Sequence, residues 1–267
     1  MSFHVGRHLG SRYNVPILSF GASGIAGVFN DFGGEAAVSK VVAAALGHGM
    51  FVMDTAPWYG NGLSEQRLGE ALTGVPRDAY KLHTKVGRYS PDIMDMFDFR
   101  ASRVRESVFE SMERLKVDYL DLVQVHDPEF APSLDIVVGE TLPALAQLKE
   151  EGHIGGIGIT GYPLDVLYEL AEKSSVEIDS ALSYCHYNLH DSSLETSGLL
   201  SYFRNRGVAV INASPMSMGL LTEGGPPGSV SIPHMALPPS ITFAPSDAYD
   251  SLASFQLHLA QALPLSP

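Results

Sequence analysis

The sequence predicts an α/β fold, a (β/α)8 barrel whose last βα unit is not recognisable. Short apolar runs typical of buried strands start near residues 17, 51, 81, 119, 154, 178 and 208, so they recur every 24 to 38 residues. A spacing of this size accommodates one strand, one helix and their loops, and helical patterns lie between the runs. Seven such units approach the eight of a closed barrel.

The composition is typical of one large α/β domain in the cytosol. The chain has 267 residues, 45% of them apolar, and a formal charge of −13 that disfavours binding to nucleic acid or to an anionic membrane. No apolar run approaches the roughly 18 residues that a membrane-spanning helix needs. Cys185 is the only cysteine, so the sequence predicts a reducing compartment and no intrachain disulfide.

The first βα unit is predicted within residues 17–46. Ile17–Phe20 is an apolar run that ends at the small-residue turn Gly21–Gly24, where a ligand can approach the backbone closely. The segment Glu35–Leu46 carries apolar residues on one helical face, and Gly47 is placed to end that helix.

The second unit changes abruptly from apolar to polar. Phe51–Met53 suits a buried strand, which Pro57 and Gly60 break. Ser64 is expected to cap the helix that follows, Glu65–Leu72. The intervening loop therefore lies at the carboxyl end of a strand, where parallel α/β folds carry their chemistry.

The remaining units follow the same alternation. Ala101–Leu115 has apolar residues at helical spacing, which predicts one buried stripe. The loop Tyr89–Asp98 before it is long and polar, and we expect it to help shape the substrate site. The other predicted strands are residues 81 to 85, Tyr119–His126, Ile154–Thr160, Ile178–Tyr184 and Val208–Ala213, and the other predicted helices are Leu142–Glu150, Leu164–Glu172 and Leu194–Arg206.

We predict that residues 1–223 form the barrel, with seven strands, and that residues 224–267 form a divergent, poorly ordered tail. Gly207–Pro267 contains no Lys or Arg, and eight of the 17 prolines follow Glu223. Proline lacks a backbone donor and breaks helices, so this composition disfavours both kinds of regular structure. An eighth strand is not recognisable there.

Four polar residues lie where three successive predicted strands end. Asp54 and Tyr59 follow the second strand, Lys85 ends the third and His126 ends the fourth. Taken singly, each residue also has a structural explanation, such as packing or capping a turn. Together, their order and spacing resemble the signature of the aldo-keto reductase family. The resemblance covers about residues 15 to 227 and implies a barrel of the aldo-keto reductase type.

The resemblance implies that these residues exchange a hydride and a proton between a sugar and a nicotinamide. Tyr59 exchanges the proton, provided that Lys85 lowers its pKa, about 10 when unperturbed, towards neutrality. Asp54 holds Lys85 in place and keeps it protonated. His126 donates a hydrogen bond to the substrate oxygen.

The resemblance also implies NAD as the cofactor, a small-molecule sugar as the substrate and no metal ion. Thr160-Gly161, Tyr184 and Ala213 depart from the commoner family pattern, in a way that one subgroup of aldose dehydrogenases shares. The residues expected to contact the substrate are Trp58 and Asp127, and those expected to contact the cofactor are Thr160, Tyr184, Ser214, Pro215, Met216, Ser217, Gly219 and Leu220.

A further motif, Gly156–Gly161, matches the G-x-G-x-x-G dinucleotide fingerprint, and Asp179 lies at a suitable distance along the chain for a ribose contact. The glycines of the fingerprint follow a strand, whereas these glycines lie inside a predicted strand. We therefore interpret them as positions of close packing and reject a Rossmann domain.

Three segments, Gly158–Gly161, Ser183–Asn188 and Ala213–Thr222, are most similar to family members that oxidise L-galactose in plants. The similarity implies NAD-dependent oxidation of L-galactose at C1 to L-galactono-1,4-lactone, a step of ascorbate biosynthesis, in the cytosol. Two alternatives stay open: another aldose dehydrogenase, such as one for L-fucose, and a non-catalytic binding or regulatory protein. No protein partner is predicted.

Overall fold

A curled sheet of seven parallel strands forms the centre of the computed structural model, which describes residues 6–7, 15–27, 33–92, 94–217, 221 and 223. Each strand is hydrogen-bonded to the next in chain order, as expected for seven units of a (β/α)8 barrel. A short antiparallel pair precedes the sheet. The pair is β1 (Gly6–Arg7) and β2 (Val15–Pro16), and the sheet consists of β3 (Phe20–Gly21), β4 (Val52–Asp54), β5 (Lys81–Val86), β6 (Leu122–His126), β7 (Ile157–Gly161), β8 (Ser180–Tyr184) and β9 (Ala209–Ala213).

Helices lie between the strands, and their buried apolar side chains join those of the strands in one hydrophobic cluster. A π-helical turn, Val137–Thr141, connects the helices Leu134–Ile136 and Leu142–Glu150 into one continuous helical segment. The helices are α1 (Glu35–Gly47), α2 (Leu63–Ala71), α3 (Ala101–Leu115), α4 (Leu134–Ile136), α5 (Leu142–Glu150), α6 (Leu164–Lys173), α7 (Ser193–Thr196) and α8 (Leu199–Asn205).

The strand registers place polar residues of neighbouring strands side by side. Lys85 on β5 lies opposite Gln124 on β6, and His126 on β6 lies opposite Thr160 on β7. Because all seven strands are parallel, their carboxyl ends meet at one end of the sheet. The fold therefore gathers the polar residues that end these strands.

Helix α3 confirms its prediction residue for residue. Val104 and Val108 are fully buried, and Met112 and Leu115 are almost so. One apolar stripe therefore packs into the core, while Glu106 and Glu113 between its members are exposed. The predicted helix Leu142–Glu150 is likewise confirmed as α5.

The first strand of the sheet differs from its prediction. Ile17 and Leu18 lie in a bend and are 64% and 65% exposed, while β3 pairs with β4 only through Phe20 and Gly21. The predicted strand Ile17–Phe20 is therefore wrong. Among the described residues β3 is an outermost strand with a neighbour on one side only, so an apolar run there has no second strand to pair with.

The prediction that Ser64 caps the second helix is also wrong. Helix α2 begins at Leu63, after Gly62 in the left-handed conformation (φ 86°), and Ser64 lies fully buried in the first turn. The hydroxyl of Ser64 donates to the carbonyl of Ala22 at 2.8 Å and accepts from the hydroxyl of Thr55 at 2.9 Å. Ser64 therefore ties α2 to the ends of β3 and β4.

Other boundaries shift by a few residues. Helix α1 includes Gly47, and the left-handed residue that follows it is Gly49 (φ 81°). The predicted helix Leu194–Arg206 is two helices, because Gly198 adopts a φ of 83° between α7 and α8. The strands from β6 to β9 begin one to three residues later than predicted.

The glycine motif belongs to the sheet, as interpreted from the sequence. Gly158 lies within β7, where a Cβ would be 2.4 Å from the hydroxyl of Ser180, so the close approach requires glycine. The carboxylate of Asp179 accepts from the amide of Ile157 at 2.8 Å and from the ammonium of Lys149 at 2.6 Å. Asp179 is thus occupied in holding the strand.

The chain divides into two compact units, Met1–Pro215 and Met216–Pro267. The first contains all the helices and strands of the described residues. The predicted tail, residues 224–267, lies outside the described residues, and its predicted lack of order stays a prediction.

Candidate active site

The structure brings the four predicted catalytic residues together at the carboxyl end of the sheet. Asp54 ends β4, Lys85 is the penultimate residue of β5 and His126 ends β6. Tyr59 lies in the turn between β4 and α2. In this turn Gly60 has a φ of 63°, and a Cβ on it would lie 2.8 Å from a neighbouring methyl group, so glycine is needed there.

The ammonium of Lys85 is held by two oxygens beneath the site. Its Nζ donates to Oδ1 of Asp54 at 2.5 Å and to the carbonyl of Thr55 at 2.9 Å, and the side chain is 2% exposed. The other carboxylate oxygen of Asp54 accepts from Nε2 of Gln124 at 2.8 Å. Burial lowers the pKa of Lys85, but Asp54 and Tyr59 more than offset this effect, so the pKa is raised and the ammonium persists.

The ring of Tyr59 lies near both Lys85 and His126. Nζ of Lys85 is 4.9 Å from the ring centroid, and the Tyr59 and His126 centroids are 5.9 Å apart with the rings nearly perpendicular. Burial raises the pKa of Tyr59 above its ordinary value of 10.0, and the ammonium of Lys85 opposes this rise. Lys85 therefore acts on this pKa in the predicted direction, but burial is the larger effect in the protein alone, so the pKa does not fall towards neutrality.

His126 is a neutral imidazole near pH 7. Burial lowers its pKa to about 4, and the carboxylate of Asp127 acts in the opposite direction. Its Nδ1 has no hydrogen-bond partner among the described residues, and its Nε2 lies 3.8 Å from Oδ2 of Asp127. A neutral imidazole carries one N–H, which can donate to a substrate oxygen.

A buried ion pair fixes the turn that carries Tyr59. Glu65, in the first turn of α2, is fully buried and accepts from the hydroxyl of Thr84 at 2.5 Å and from Nε of Arg114 at 2.6 Å. Thr84 precedes Lys85 on β5. The carboxylate therefore links α2, α3 and the strand that presents the ammonium.

Trp58 and Asp127, the residues expected to contact the substrate, are joined by Arg88. The guanidinium carbon of Arg88 lies 3.7 Å from the centroid of the Trp58 ring, and Nη1 donates to Oδ2 of Asp127 at 2.6 Å. Arg88 is the second residue after the end of β5 and follows Gly87. Arg88 thus joins the indole and the carboxylate in one cluster, and the carboxylate lies beside His126.

The sequence analysis missed two residues of the site, Gln124 and Arg88. Gln124 is two residues before His126 on β6, so the alternation of side chains along a strand places both on one face. That alternation could have identified Gln124. Arg88 has no comparable signal, because an arginine beyond a strand end is usually solvated.

The strands that follow supply the residues expected to contact the nicotinamide. Thr160 is 3% exposed and lies opposite His126, and Tyr184 ends β8. Burial raises the pKa of Tyr184, and the charges of Cys185 and Tyr59 add to the rise. Thr160 and Tyr184 therefore border the same end of the sheet as the predicted catalytic residues.

Of the residues expected to contact the cofactor after β9, Ser214 and Pro215 lie in the first compact unit, and Met216 and Ser217 lie in the second. Ser214 and Ser217 both adopt the left-handed conformation, with φ values of 55° and 49°. Contact of this segment with the cofactor stays a prediction. Gly219 and Leu220, also expected to contact the cofactor, lie outside the described residues.

In the part of the chain that the structure describes, no helix is long and apolar enough to cross a membrane, and no three His, Cys, Asp or Glu side chains are grouped to hold a metal ion.

The charged groups of the site are paired with each other, Lys85 with Asp54 and Arg88 with Asp127. The phenol of Tyr59 and the imidazole of His126 are the groups placed to exchange a proton or donate a hydrogen bond.

The signature residues and the parallel sheet are matched by a known family. The Aldo/keto reductase family profile matches residues 18–233, which is most of the chain. The chain belongs to the aldo/keto reductase family.

Its relatives include aldose dehydrogenases. L-galactose dehydrogenase of Arabidopsis thaliana is 48% identical over 216 residues, a match that covers 80% of this chain and 65% of the relative. D-arabinose 1-dehydrogenase of Saccharomyces cerevisiae is 40% identical over 195 residues, covering 69% and 56%. A solved aldo-keto reductase from Bacillus halodurans, in its holo form, is 29% identical with a TM-score of 0.70, covering 98% and 78%. The chain therefore spans less than two thirds of either dehydrogenase.

Proposed function

We propose that the protein oxidises an aldose at C1 to its lactone, with a nicotinamide dinucleotide as the oxidant. The observation that carries the proposal is the grouping of Tyr59, Lys85 and His126, with Asp54 bound to Lys85. Oxidation of an alcohol to a carbonyl needs a proton acceptor, a charge that stabilises its ionised form and a donor that orients the reacting oxygen. These three side chains supply one each.

In the proposed reaction Tyr59 is the general base. Its phenolate takes the proton of the C1 hydroxyl, the C1–H bond breaks with loss of a hydride, and the C1–O bond becomes double. Lys85 stabilises the phenolate, Asp54 and Gln124 hold Lys85, and His126 donates a hydrogen bond to the reacting oxygen. A bound oxidised nicotinamide supplies the hydride acceptor and a positive charge that also favours the phenolate.

We propose L-galactose as the aldose and NAD as the cofactor. The relative of Arabidopsis thaliana, at 48% identity, is named for L-galactose, and the yeast relative for D-arabinose. L-fucose is the alternative substrate that the sequence left open. We also propose a cytosolic location, in keeping with a single cysteine.

The test is cofactor reduction by the full chain, followed by absorbance, with L-galactose, L-fucose and D-arabinose, each with NAD and NADP. The proposal predicts the highest kcat/KM with L-galactose and NAD, and a lactone as the product. Preference for another aldose would replace the substrate and leave the reaction class intact.

A non-catalytic binding or regulatory protein is the second candidate, the alternative that the sequence left open. This candidate predicts that the cofactor or the sugar binds, in calorimetry, without turnover of any aldose. Such a result would contradict the proposed reaction.

A further inference from the structure

Two side chains approach one carboxylate oxygen beside the site. Nη1 of Arg88 donates to Oδ2 of Asp127 at 2.6 Å, and Nε2 of His126 lies 3.8 Å from the same Oδ2. The first distance is that of a charge-assisted hydrogen bond, whereas the second is beyond hydrogen-bond range. Oδ2 of Asp127 therefore accepts a hydrogen bond from Arg88 and not from His126. A small movement of the carboxylate would bring it within hydrogen-bond distance of Nε2 of His126.

Arg88 is fixed in this position from several directions. Its guanidinium carbon lies 3.7 Å from the Trp58 ring centroid and 5.4 Å from that of Phe97, and its Nε donates to the sulfur of Met96 at 3.3 Å. The side chain is 16% exposed. The stacking on the indole and the hydrogen bond to Met96 orient the guanidinium, and its hydrogen bond to Asp127 holds the carboxylate in place as well.

We infer that Arg88 is a positioning residue that keeps Asp127 from accepting a hydrogen bond from His126. In the tautomer that carries the proton on Nε2, this N–H then remains free for the substrate oxygen. This inference rests on the proposed function for the role of His126, but the arrangement of Arg88, Asp127 and His126 can be tested without turnover.

The charges around His126 have opposing effects on its protonation. Burial lowers the pKa of His126 to about 4. The carboxylates of Asp127 and Asp54 raise this pKa, whereas the cations Lys85 and Arg88 lower it further. Loss of Arg88 removes one lowering contribution and frees Asp127 to move towards Nε2. The charged and titratable groups that face His126 are Asp127, Lys85, Arg88, Asp54 and the ring of Tyr59, with Glu129 facing Asp127 in turn.

A purely structural role for Arg88 makes a different prediction. Arg88 also forms a β-bridge with Phe97, which closes the loop after β5. If bracing that loop were its whole role, replacing it would lower the stability of the protein without a specific change at His126, and a substitution of Asp127 would not reverse the effect.

The experiment is an NMR titration of the histidine ring protons in the full chain, with the His126 signal assigned by its loss in His126→Gln. Arg88→Met is predicted to raise the pKa of His126 by at least about one unit, because it removes a cation that lowers this pKa and lets Asp127 accept a hydrogen bond from Nε2. The double variant Arg88→Met with Asp127→Asn is predicted to return the pKa to the wild-type value or below. Arg103→Met, which removes an arginine stacked on Tyr89, is the matched control and should leave His126 unchanged.

An unchanged His126 pKa in folded Arg88→Met overturns the inference, and so does a rise that Asp127→Asn does not reverse. If Arg88→Met does not fold, the His126 pKa is measured in Arg88→Lys and in Asp127→Asn instead. Lysine keeps the charge without the planar stacking, so a smaller rise is expected, whereas Asp127→Asn alone should not raise the pKa. A predicted shift without turnover of any aldose by the wild type would uphold the role of Arg88 and contradict the proposed function.

Discussion

At Tyr59 two effects on one phenol oppose each other. Burial raises the pKa, and the ammonium of Lys85, 4.9 Å from the ring centroid, lowers it. Because burial is the larger effect in the protein alone, the phenol is protonated at neutral pH. In the proposed reaction, proton transfer from the sugar therefore depends on the positive charges that act on Tyr59.

Replacing Tyr59 with Phe removes the only proposed proton acceptor and keeps the ring. We expect kcat for aldose oxidation to fall about 100- to 10,000-fold, as for other general acid–base residues. Sugar binding, followed by saturation-transfer NMR, should persist because the ring still fills its place. Turnover at a near-normal rate would remove Tyr59 from the mechanism.

Replacing Lys85 with Met removes a charge that lowers the pKa of Tyr59. The phenolate then forms at higher pH, so the rise of kcat with pH should shift towards more alkaline values. The measurement is the pH profile of kcat for the wild type and the variant. Two profiles that rise over the same pH range would assign Lys85 a structural role only.

The sequence identified Asp54, Tyr59, Lys85 and His126 because each stands near a strand end, and strand ends can be located from hydrophobic patterns. It did not identify Gln124, which lies within a buried strand, or Arg88, whose partners are set by the packing of two loops. The sign of the Tyr59 shift was also beyond sequence reasoning, since it depends on how deeply the ring is buried.

Strand β5 carries a second buried histidine, His83, which is fully buried and whose pKa burial lowers to about 4. An unfolded chain takes up a proton at His83 near pH 6.5, whereas the folded protein does not. The contribution of His83 to the free energy of unfolding is therefore fully present above about pH 6.5. It decreases by on the order of 3 kcal/mol as the pH falls towards 4.

His83→Gln tests this effect on β5. We expect the loss of stability between about pH 6.5 and pH 4 to be smaller in the variant, with part of the loss kept because His126 acts in the same direction. Urea unfolding at several pH values measures the free energy of unfolding of the wild type and of the variant. The difference between the two proteins at pH 8 gives the effect of lost packing alone. The same acid loss in both proteins would contradict the assignment.

Among the elements, those with a strong internal pattern were predicted best. Helix α3 has one continuous apolar stripe, so its residues determine both its bounds and its buried face. The strand Ile17–Phe20 was misplaced because an apolar run at a sheet edge need not pair. Ser64 was misread because a serine before a helical pattern suits a cap, whereas its actual partners, Ala22 and Thr55, come from other elements.

For the whole molecule, the sheet and the Pro-rich sequence after it lead to one prediction. Among the described residues β3 and β9 each pair with one strand, and unpaired edges favour association. We expect limited proteolysis to cleave after about Glu223, where prolines and glycines are dense, and to leave a fragment with most of the sheet. Mass spectrometry of the fragments would locate the sites, and a chain that resists cleavage throughout 224–267 would contradict the predicted tail.

The central claim is that the protein removes a hydride from C1 of an aldose, and isotope transfer tests it most directly. The full chain is incubated with NAD and L-galactose that carries deuterium at C1, and the reduced cofactor is analysed by mass spectrometry and NMR. The account predicts one deuterium at C4 of the nicotinamide, a lactone as the sugar product and no transfer in Tyr59→Phe. Reduced cofactor without deuterium, or no reduced cofactor while NAD and sugar both bind, would contradict it.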